Sequence, residues 1–293
     1  MMDRIDWLDP LSAGRFIVRN ALAEDRVMDD VTTSSLSVHP GDSSICTAAA
    51  REELIVAGWF LVEQVFSELS ILAGRSIQSI QSIIPDGYTA SQGDSIGCLQ
   101  GSADLLLRGE RVALNLLCRL SGIATLTGKY VKAAAGTGVE ILDTRKTTPC
   151  LRALEKYAVR TGGGVNHRFN LAELAMVKDN HIAVAGGSGK LHSVMLRIKE
   201  KGIPVEIEVD SIDQLKKVLD EKPDRILLDN MNPDTLRAAV RVASGSGVYL
   251  EASGGITLKN IREVAGTGVD GISSGALTHS APSADIGFDW GIR

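Results

Sequence analysis

The C-terminal half of the chain alternates short apolar runs with amphipathic segments. Each run ends in polar residues, and each is followed by a segment whose apolar positions recur at helical spacing. Six runs are legible: Glu140–Asp143, Leu174–Lys178, Val205–Val209, Arg225–Asp229, Val248–Ala252 and Val269–Ser273. Strands that alternate with helices predict a parallel α/β sheet with right-handed crossovers. Either an α/β barrel or an open sheet would fit this pattern.

The N-terminal part has a different pattern, which predicts a mixed domain of helices and strands. Turn signals separate three short runs that predict a small sheet: Ile45–Ala50, Ser76–Ile84 and Ser95–Leu99. Residues 57–73 have apolar positions at helical spacing. From Asp104 to about Ala135 the pattern predicts a long amphipathic helix, or a helix pair, that links the two parts of the chain.

Polar residues at the ends of the predicted strands are candidates for chemistry. In an α/β barrel all these ends open onto one rim, where active sites are built. Glu208 and Asp229 end adjacent predicted strands, where they could hold hydrated Mg²⁺ or ribose hydroxyls, or simply be solvated. Ser253-Gly254-Gly255 and Ser274-Gly275 follow two later strands. Backbone amides at such glycines can approach a phosphate closely, although two tight turns would have the same sequence.

The charge distribution indicates a local site for anions. The formal net charge is −5, yet residues 108–178 contain twelve lysines and arginines against five acidic residues. Exposed helices with basic faces would give the same excess. Within this stretch lies a candidate cationic cluster: Arg145, Lys146, His167, Arg168 and Lys178. Because guanidinium forks suit carboxylates, the cluster predicts a small polyanionic substrate beside a phosphorylated one.

Composition excludes several classes of protein. Hydrophobic residues make up 44% and charged residues 23%, which is ordinary globular usage. The longest nearly uninterrupted apolar run, Leu54–Val62, is far shorter than the roughly 20 residues that span a bilayer. Aromatic residues are only 4%, which argues against a nucleic-acid surface built on base stacking. The N-terminus has no apolar signal region, so we expect a cytoplasmic protein. Gly162-Gly163-Gly164 lacks the later glycine of a dinucleotide fingerprint.

Eight segments together resemble one family, that of quinolinate phosphoribosyltransferase. They are Gly109–Asn115, Leu120–Ala124, Thr144–Pro149, Leu154–Tyr157, Gly162–Arg168, Met176–His181, Leu228–Asn230 and Glu251–Thr257. The resemblance runs in order from about residue 20 to 285. It implies an N-terminal α/β sandwich domain over residues 1–120, joined by residues 278–293, and a partly open α/β barrel over residues 121–277.

The resemblance also implies an activity and a set of site residues. The family transfers the phosphoribosyl group of 5-phosphoribosyl-1-pyrophosphate to quinolinate with decarboxylation, giving nicotinate mononucleotide, pyrophosphate and CO₂ in de novo NAD synthesis. Its members are homodimers whose sites are shared across the interface, and a higher homo-oligomer stays open. The implied roles of residues in this chain are quinolinate binding by Arg145, His167, Arg168 and Lys178; contact with the neighbour's site by Arg111; pyrophosphate contact by Lys146; ribose and Mg²⁺ contact by Glu208 and Asp229; and 5-phosphate binding by Ser253, Gly254, Gly255, Ser274 and Gly275.

Other functions stay open on the sequence alone. A related enzyme acting on another pyridine acid, such as nicotinate, would share most of these motifs, although the arginine cluster favours a dianion. A metabolite-binding protein that kept the fold and lost turnover would bind without releasing pyrophosphate. A phosphate-binding barrel isomerase or lyase is a further alternative, because a fold by itself does not assign a function.

Overall fold

The computed structural model describes residues 5–36 and 42–291. The predicted first domain, 1–120 with 278–293, therefore includes residues 1–4, 37–41 and 292–293, which lie outside the described residues. The helices are α1 Pro10–Glu24, α2 Val31–Ser35, α3 Trp59–Ala73, α4 Ala103–Ala134, α5 Arg152–Thr161, α6 Asp179–Val184, α7 Leu191–Lys199, α8 Ile212–Leu219, α9 Pro233–Ala243, α10 Ile261–Ala265 and α11 Ala276–His279. The strands are β1 Ser43–Ala50, β2 Leu54–Ile55, β3 Ser79–Ser82, β4 Thr89–Ala90, β5 Ser95–Ser102, β6 Glu140–Leu142, β7 Ala175–Val177, β8 Val205–Val209, β9 Arg225–Asp229, β10 Tyr249–Ser253, β11 Gly271–Ser273 and β12 Ile286–Trp290.

The chain divides into two compact units whose boundaries differ from the predicted ones. The first unit comprises Met1–Gly128, Thr147–Gly163 and Ser280–Arg293, and the second comprises Lys129–Lys146 and Gly164–His279. The single helix α4 passes through residue 120 without a break, and its residues up to Gly128 belong to the first unit. Helix α5 belongs to the first unit, where Glu155 accepts a hydrogen bond from Arg119 at 2.8 Å.

The first unit contains an antiparallel sheet in the order β12-β1-β5-β3. The three strands predicted near residues 45–102 are present, and β12 pairs with β1 at Ala48↔Phe288. A second pairing, β2 with β4, was not predicted. Helix α3 buries Leu61, Val65 and Leu69 of the apolar face predicted for residues 57–73, but Leu72 of that face is exposed. Helix α1 was also not predicted, although Asp9 caps it by accepting the N–H groups of Leu11 and Ser12.

The second unit is a parallel sheet of six strands in the order β6-β11-β10-β9-β8-β7. All six predicted strands are confirmed. The first strand of this unit, β6, pairs with its last, β11, which is the arrangement of a barrel. No ladder joins β6 to β7 within the described residues, so the barrel is partly open there. The predicted fold class, an α/β sandwich with a partly open α/β barrel, is confirmed.

Local signals explain where the barrel helices begin. Asn232 caps α9 by accepting the N–H of Thr235, and Pro233 occupies its first position. Helix α10 begins only at Ile261, because Asn260 Oδ1 accepts the N–H of Thr257 and holds a turn before it. Across residues 5–36 and 42–291, none of the helices combines the length and the apolar character needed to cross a bilayer.

Candidate functional site

A cavity of about 460 Å³ lies at the carboxyl ends of the barrel strands, and every residue that lines it belongs to the second unit. A volume in this range suits a small-molecule site. All the predicted site residues except Arg111, Ser274 and Gly275 line the cavity. The predicted residues brought together are Arg145, Lys146, His167, Arg168, Lys178, Glu208, Asp229, Ser253, Gly254 and Gly255.

The three exceptions lie elsewhere. Arg111 is exposed on α4, in the first unit. Ser274 is buried, and its hydroxyl donates to the carbonyl of Ile256 at 3.4 Å. A Cβ on Gly275 would come within 2.9 Å of Lys146 Cδ, so this glycine packs against the side chain of a residue that lines the cavity. Ser273 lines the cavity instead, and its hydroxyl donates to Ser253 Oγ at 3.0 Å.

The two arginines of the cluster form a half-buried positive wall. The Arg168 guanidinium donates to the carbonyl of Leu174 at 2.7 Å, and its Nη2 lies 3.7 Å from the sulfur of Met176. Burial and the positive charge of Arg145 lower the pKa of the Arg168 guanidinium from its usual value. An arginine stays protonated even so. Two like charges held together in this way favour a ligand with more than one negative charge.

His167 is buried at the bottom of the cavity. Its Nε2 lies 3.1 Å from Glu206 Oε2 and 3.3 Å from Glu251 Oε2. Burial by itself would lower the pKa of His167, but its bonds to Glu206 and Glu251 and their negative charges outweigh burial and raise the pKa to about 9. Its backbone N–H donates to Asp143 Oδ1 at 2.9 Å, which fixes the loop that carries both His167 and Arg168.

Two carboxylates stand at the ends of neighbouring strands. Glu208, on β8, forms an ion pair with Lys178. Asp229, the last residue of β9, accepts a hydrogen bond from Asn230 Nδ2 at 2.8 Å. Carboxylate oxygens are the ligands that Mg²⁺ prefers, and Mg²⁺ in proteins is commonly bound by one or two carboxylates together with substrate phosphates and water. Glu208 and Asp229 therefore fit a magnesium ion that arrives with a phosphorylated substrate.

The loop after β10 requires glycine at one position. Gly254 has a φ of +90°, and a Cβ there would lie 2.2 Å from Asn230 Oδ1. Asn230 itself has a φ of +54°, and its N–H donates to the carbonyl of Ser253 at 2.8 Å. The glycine thus allows the backbones after β9 and β10 to approach each other, so that small residues line this side of the cavity.

Glu206, Glu251 and Arg225 were not predicted as site residues. Glu206 and Glu251 have no solvent exposure, and both contact Arg225. Because side chains alternate along a strand, Glu206 and Glu251 share a face with Glu208 and Ser253, two residues further along. That period of two was a signal in the sequence that could have found them.

Comparisons with known proteins cover nearly the whole chain. The family model of the quinolinate phosphoribosyl transferase C-terminal domain matches residues 123–289. The model of the N-terminal domain of the same family matches residues 30–121. The chain belongs to the quinolinate phosphoribosyltransferase family. A curated relative from Mycobacterium leprae, named nicotinate-nucleotide pyrophosphorylase (carboxylating), is 43% identical over 281 residues, 94% of this chain and 97% of the relative. A Bacillus subtilis protein, named as a probable enzyme of the same kind, is 41% identical over 93% of this chain and 92% of its own length.

A solved structure supports the same assignment. The nicotinate-nucleotide pyrophosphorylase from Francisella tularensis superposes with a TM-score of 0.86 at 32% identity, covering 98% of this chain and 100% of that one. The two domain matches of the quinolinate phosphoribosyltransferase family meet near residue 122, inside α4. The family boundary therefore falls within a continuous helix, a few residues before the division between the compact units.

Proposed function

We infer that this chain transfers the phosphoribosyl group of 5-phosphoribosyl-1-pyrophosphate to quinolinate, with decarboxylation, giving nicotinate mononucleotide, pyrophosphate and CO₂ in NAD biosynthesis. One observation carries this function beyond family membership. A single cavity is lined by a cluster of cations, by two strand-end carboxylates and by a glycine-containing loop. These are the groups needed for a dianionic acid, a ribose and phosphates.

Quinolinate binding falls to the cationic side of the cavity. Arg145, Arg168 and Lys178 bind the two carboxylates, and His167 adds positive charge beneath them. The mutual repulsion of Arg145 and Arg168 supports this role, because a bound dianion relieves it. Nicotinate has only one carboxylate and would leave part of this charge uncompensated, so the site favours quinolinate.

The phosphorylated substrate occupies the opposite side. Lys146 contacts the departing pyrophosphate, and Glu208 and Asp229 contact the ribose hydroxyls. The 5-phosphate binds at Ser253-Gly254-Gly255 and at Ser274-Gly275. The positive φ of Gly254 and its close approach to Asn230 support this assignment, since such backbone suits phosphate oxygens that need access to N–H groups.

The reaction requires no nucleophile from the protein. The pyridine nitrogen of quinolinate forms the new bond to the anomeric carbon as the bond from that carbon to pyrophosphate oxygen breaks. Positive charge develops on the sugar, where Glu208 and Asp229 stabilise it, and Lys146 stabilises the leaving pyrophosphate. Loss of CO₂ leaves an electron pair at ring carbon 2, which the pyridinium stabilises until that carbon takes a proton. Holding both substrates in line supplies much of the remaining rate enhancement.

Mg²⁺ is the proposed cofactor. When bound, it would neutralise pyrophosphate charge and help that group to leave. Glu208 and Asp229 are the residues that would hold it, directly or through water. Lys178 already pairs with Glu208, so part of the negative charge of Glu208 is neutralised before any metal binds. This favours a weakly held ion that enters with the substrate, and it disfavours a permanent metal site made only of protein ligands.

The active form is proposed to be a homodimer, with Arg111 completing the partner's site; larger homo-oligomers stay a prediction. The exposure of Arg111 on α4 supports this role, because the side chain is accessible to a second copy. The cytoplasmic location stays a prediction.

Incubation of the purified chain with Mg²⁺ and 5-phosphoribosyl-1-pyrophosphate tests the function. Quinolinate and nicotinate are supplied in parallel, and mononucleotide and CO₂ are followed together. Product and CO₂ from quinolinate alone are expected. Product from nicotinate without CO₂ would assign a sister activity, and binding of both substrates without pyrophosphate release would indicate a binding protein.

A further inference from the structure

Four ionisable side chains, two of which line the cavity, are given no chemical step by the proposed reaction. We call His167, Glu206, Arg225 and Glu251 the buried charge cluster. Glu206 and Glu251 have no solvent exposure, and His167 is 6% exposed. The two glutamates lie on β8 and β10, on either side of β9, which carries Arg225. Buried carboxylates are costly unless positive charge is close to them.

The distances within the cluster show how this charge is balanced. His167 Nε2 contacts one oxygen of each glutamate, at 3.1 and 3.3 Å. Arg225 donates to Glu251 Oε2 at 3.3 Å, and its Nε lies 4.0 Å from Glu206 Oε1. The guanidinium stacks on Tyr249, 4.1 Å from the ring centroid, which fixes it from behind. Arg225 compensates one of the two negative charges, and a protonated His167 compensates the other.

Two observations bear on alternatives to a protonated ring. The backbone N–H of Arg168 points at His167 Nδ1 at 2.7 Å, a contact that favours the neutral ring. Two buried carboxylates within 3.3 Å of Nε2 outweigh it, because opposite charges this close favour the charged form of the ring. The His167, Glu206 and Glu251 ligand atoms also lie within 4.8 Å of one another, as in a metal site. However, the Arg225 guanidinium already contacts both carboxylates, which disfavours a second cation there.

We propose that Glu206 and Glu251 are positioning residues that keep His167 positively charged beneath the quinolinate pocket and thereby strengthen binding of the dianionic substrate. This inference rests on the proposed function. It assigns the two glutamates a task that acts through His167, although Glu251 also lines the cavity. An exposed carboxylate would repel the quinolinate dianion, so the lack of solvent exposure at both glutamates favours this arrangement.

The inference predicts a pH signature. Charged groups face His167 from several sides: Glu206 on β8, Glu251 on β10 and Arg225 on β9, with Asp143 at its backbone and Arg145 and Arg168 on the cavity side. The two glutamates favour the charged ring, and the arginines oppose it. Quinolinate affinity should therefore fall as the pH rises through about 9, where His167 loses its proton. Replacing one glutamate by its neutral isostere should move this fall to lower pH.

Glu251→Gln tests the prediction with almost no change of shape. Quinolinate affinity is measured by calorimetry between pH 6.5 and 10, and steady-state rates are measured with each substrate varied. We expect the fall in affinity to begin about one pH unit lower than in the wild type, so that quinolinate binds about twofold more weakly at pH 8 and about tenfold more weakly at pH 10. The KM for 5-phosphoribosyl-1-pyrophosphate should stay within about twofold. Glu206→Gln should shift the pH dependence of quinolinate affinity in the same direction.

Glu68→Gln is the matched control. Glu68 is also a buried carboxylate paired with arginines, Arg15 and Arg19, but it belongs to the first unit, whereas the cavity is lined by the second. It should change stability without changing the pH profile. A separate readout is the ¹⁵N resonance of the His167 ring, assigned by comparison with His167→Gln, which distinguishes imidazolium from neutral imidazole without reference to activity.

The outcomes separate the inference from the proposed function. A neutral His167 ring at pH 7.5, an unshifted profile in Glu251→Gln, or a stoichiometric metal ion lost in that variant would each overturn the inference while wild-type turnover stands. A charged ring without any turnover of quinolinate would keep the charged cluster but overturn the function, and with it the substrate role given to the cluster. Should Glu251→Gln fail to fold, the wild-type ring titration and Glu206→Gln decide the question.

Discussion

Replacing Gly254 by alanine should selectively damage the loop that we assign to the 5-phosphate. The φ of this residue is +90°, so an alanine is strained by about 1–2 kcal/mol before any contact is considered. Its Cβ would also lie 2.2 Å from Asn230 Oδ1 and 3.0 Å from Asn230 N. Asn230 is held by hydrogen bonds to Ser253 O and Asp229, so moving it sacrifices about 1 kcal/mol for each bond lost.

These costs together amount to about 2–4 kcal/mol, and the loop relieves them by leaving its observed position. We expect the KM for 5-phosphoribosyl-1-pyrophosphate to rise at least about tenfold, which corresponds to about 1.4 kcal/mol of binding. Quinolinate affinity, measured by calorimetry, should change little because the cationic side of the cavity is untouched. The assay is initial rate against 5-phosphoribosyl-1-pyrophosphate at saturating quinolinate.

Gly247→Ala is the control for backbone strain alone. Its φ is +74°, and a Cβ there would meet no atom within 4 Å among the described residues. It should lower the melting temperature by the strain cost and leave both substrate constants unchanged. If Gly254→Ala kept a KM within about twofold of that of Gly247→Ala, the close approach of Gly254 to Asn230 would have no functional meaning and the reasoning would be refuted.

Three further outcomes follow from the structure. Arg145→Ala should lower kcat/KM for quinolinate about 100-fold, or about 2.7 kcal/mol, because a half-buried cation facing a dianion is lost; near-normal turnover in a variant with wild-type circular dichroism would contradict this. Asp229→Asn should raise the Mg²⁺ concentration for half-maximal rate about tenfold, measured by magnesium titration, and an unchanged value would rule out Asp229 as a ligand. Glu155→Gln should destabilise the first unit by about 3 kcal/mol, because it leaves Arg119 without its buried carboxylate partner, and an unchanged melting curve would contradict that.

The barrel strands could be predicted from the sequence because each one is marked by its own run of apolar residues followed by polar residues. A strand buried on both faces needs a short apolar run, and a strand end at the rim tolerates polar residues, as at Arg225–Asp229. The six strands were therefore found nearly to the residue. Helix α1 was missed although Asp9-Pro10 is a strong start signal, since its exposed apolar residues blur the helical period.

The buried charge cluster could not be predicted in the same way. His167, Glu206 and Glu251 are far apart in sequence, and only the sheet order brings β8 and β10 to either side of β9. The boundary between the two compact units could not be predicted from the sequence either. Nothing in the sequence of α4 marks residue 128, because a helix continues on local hydrogen bonds whichever unit its residues belong to.

The pairing of β12 with β1 has a consequence for how the chain is made. The first unit cannot complete its sheet until β12, which follows the whole barrel in sequence, has left the ribosome. Until then β1 presents an open edge with unpaired N–H and C=O groups, the usual template for association with another chain. During synthesis the barrel strands of the second unit can therefore assemble before the sheet of the first unit is complete. Translation that stopped before β12 would release a protein in which the unpaired edge of β1 promotes aggregation.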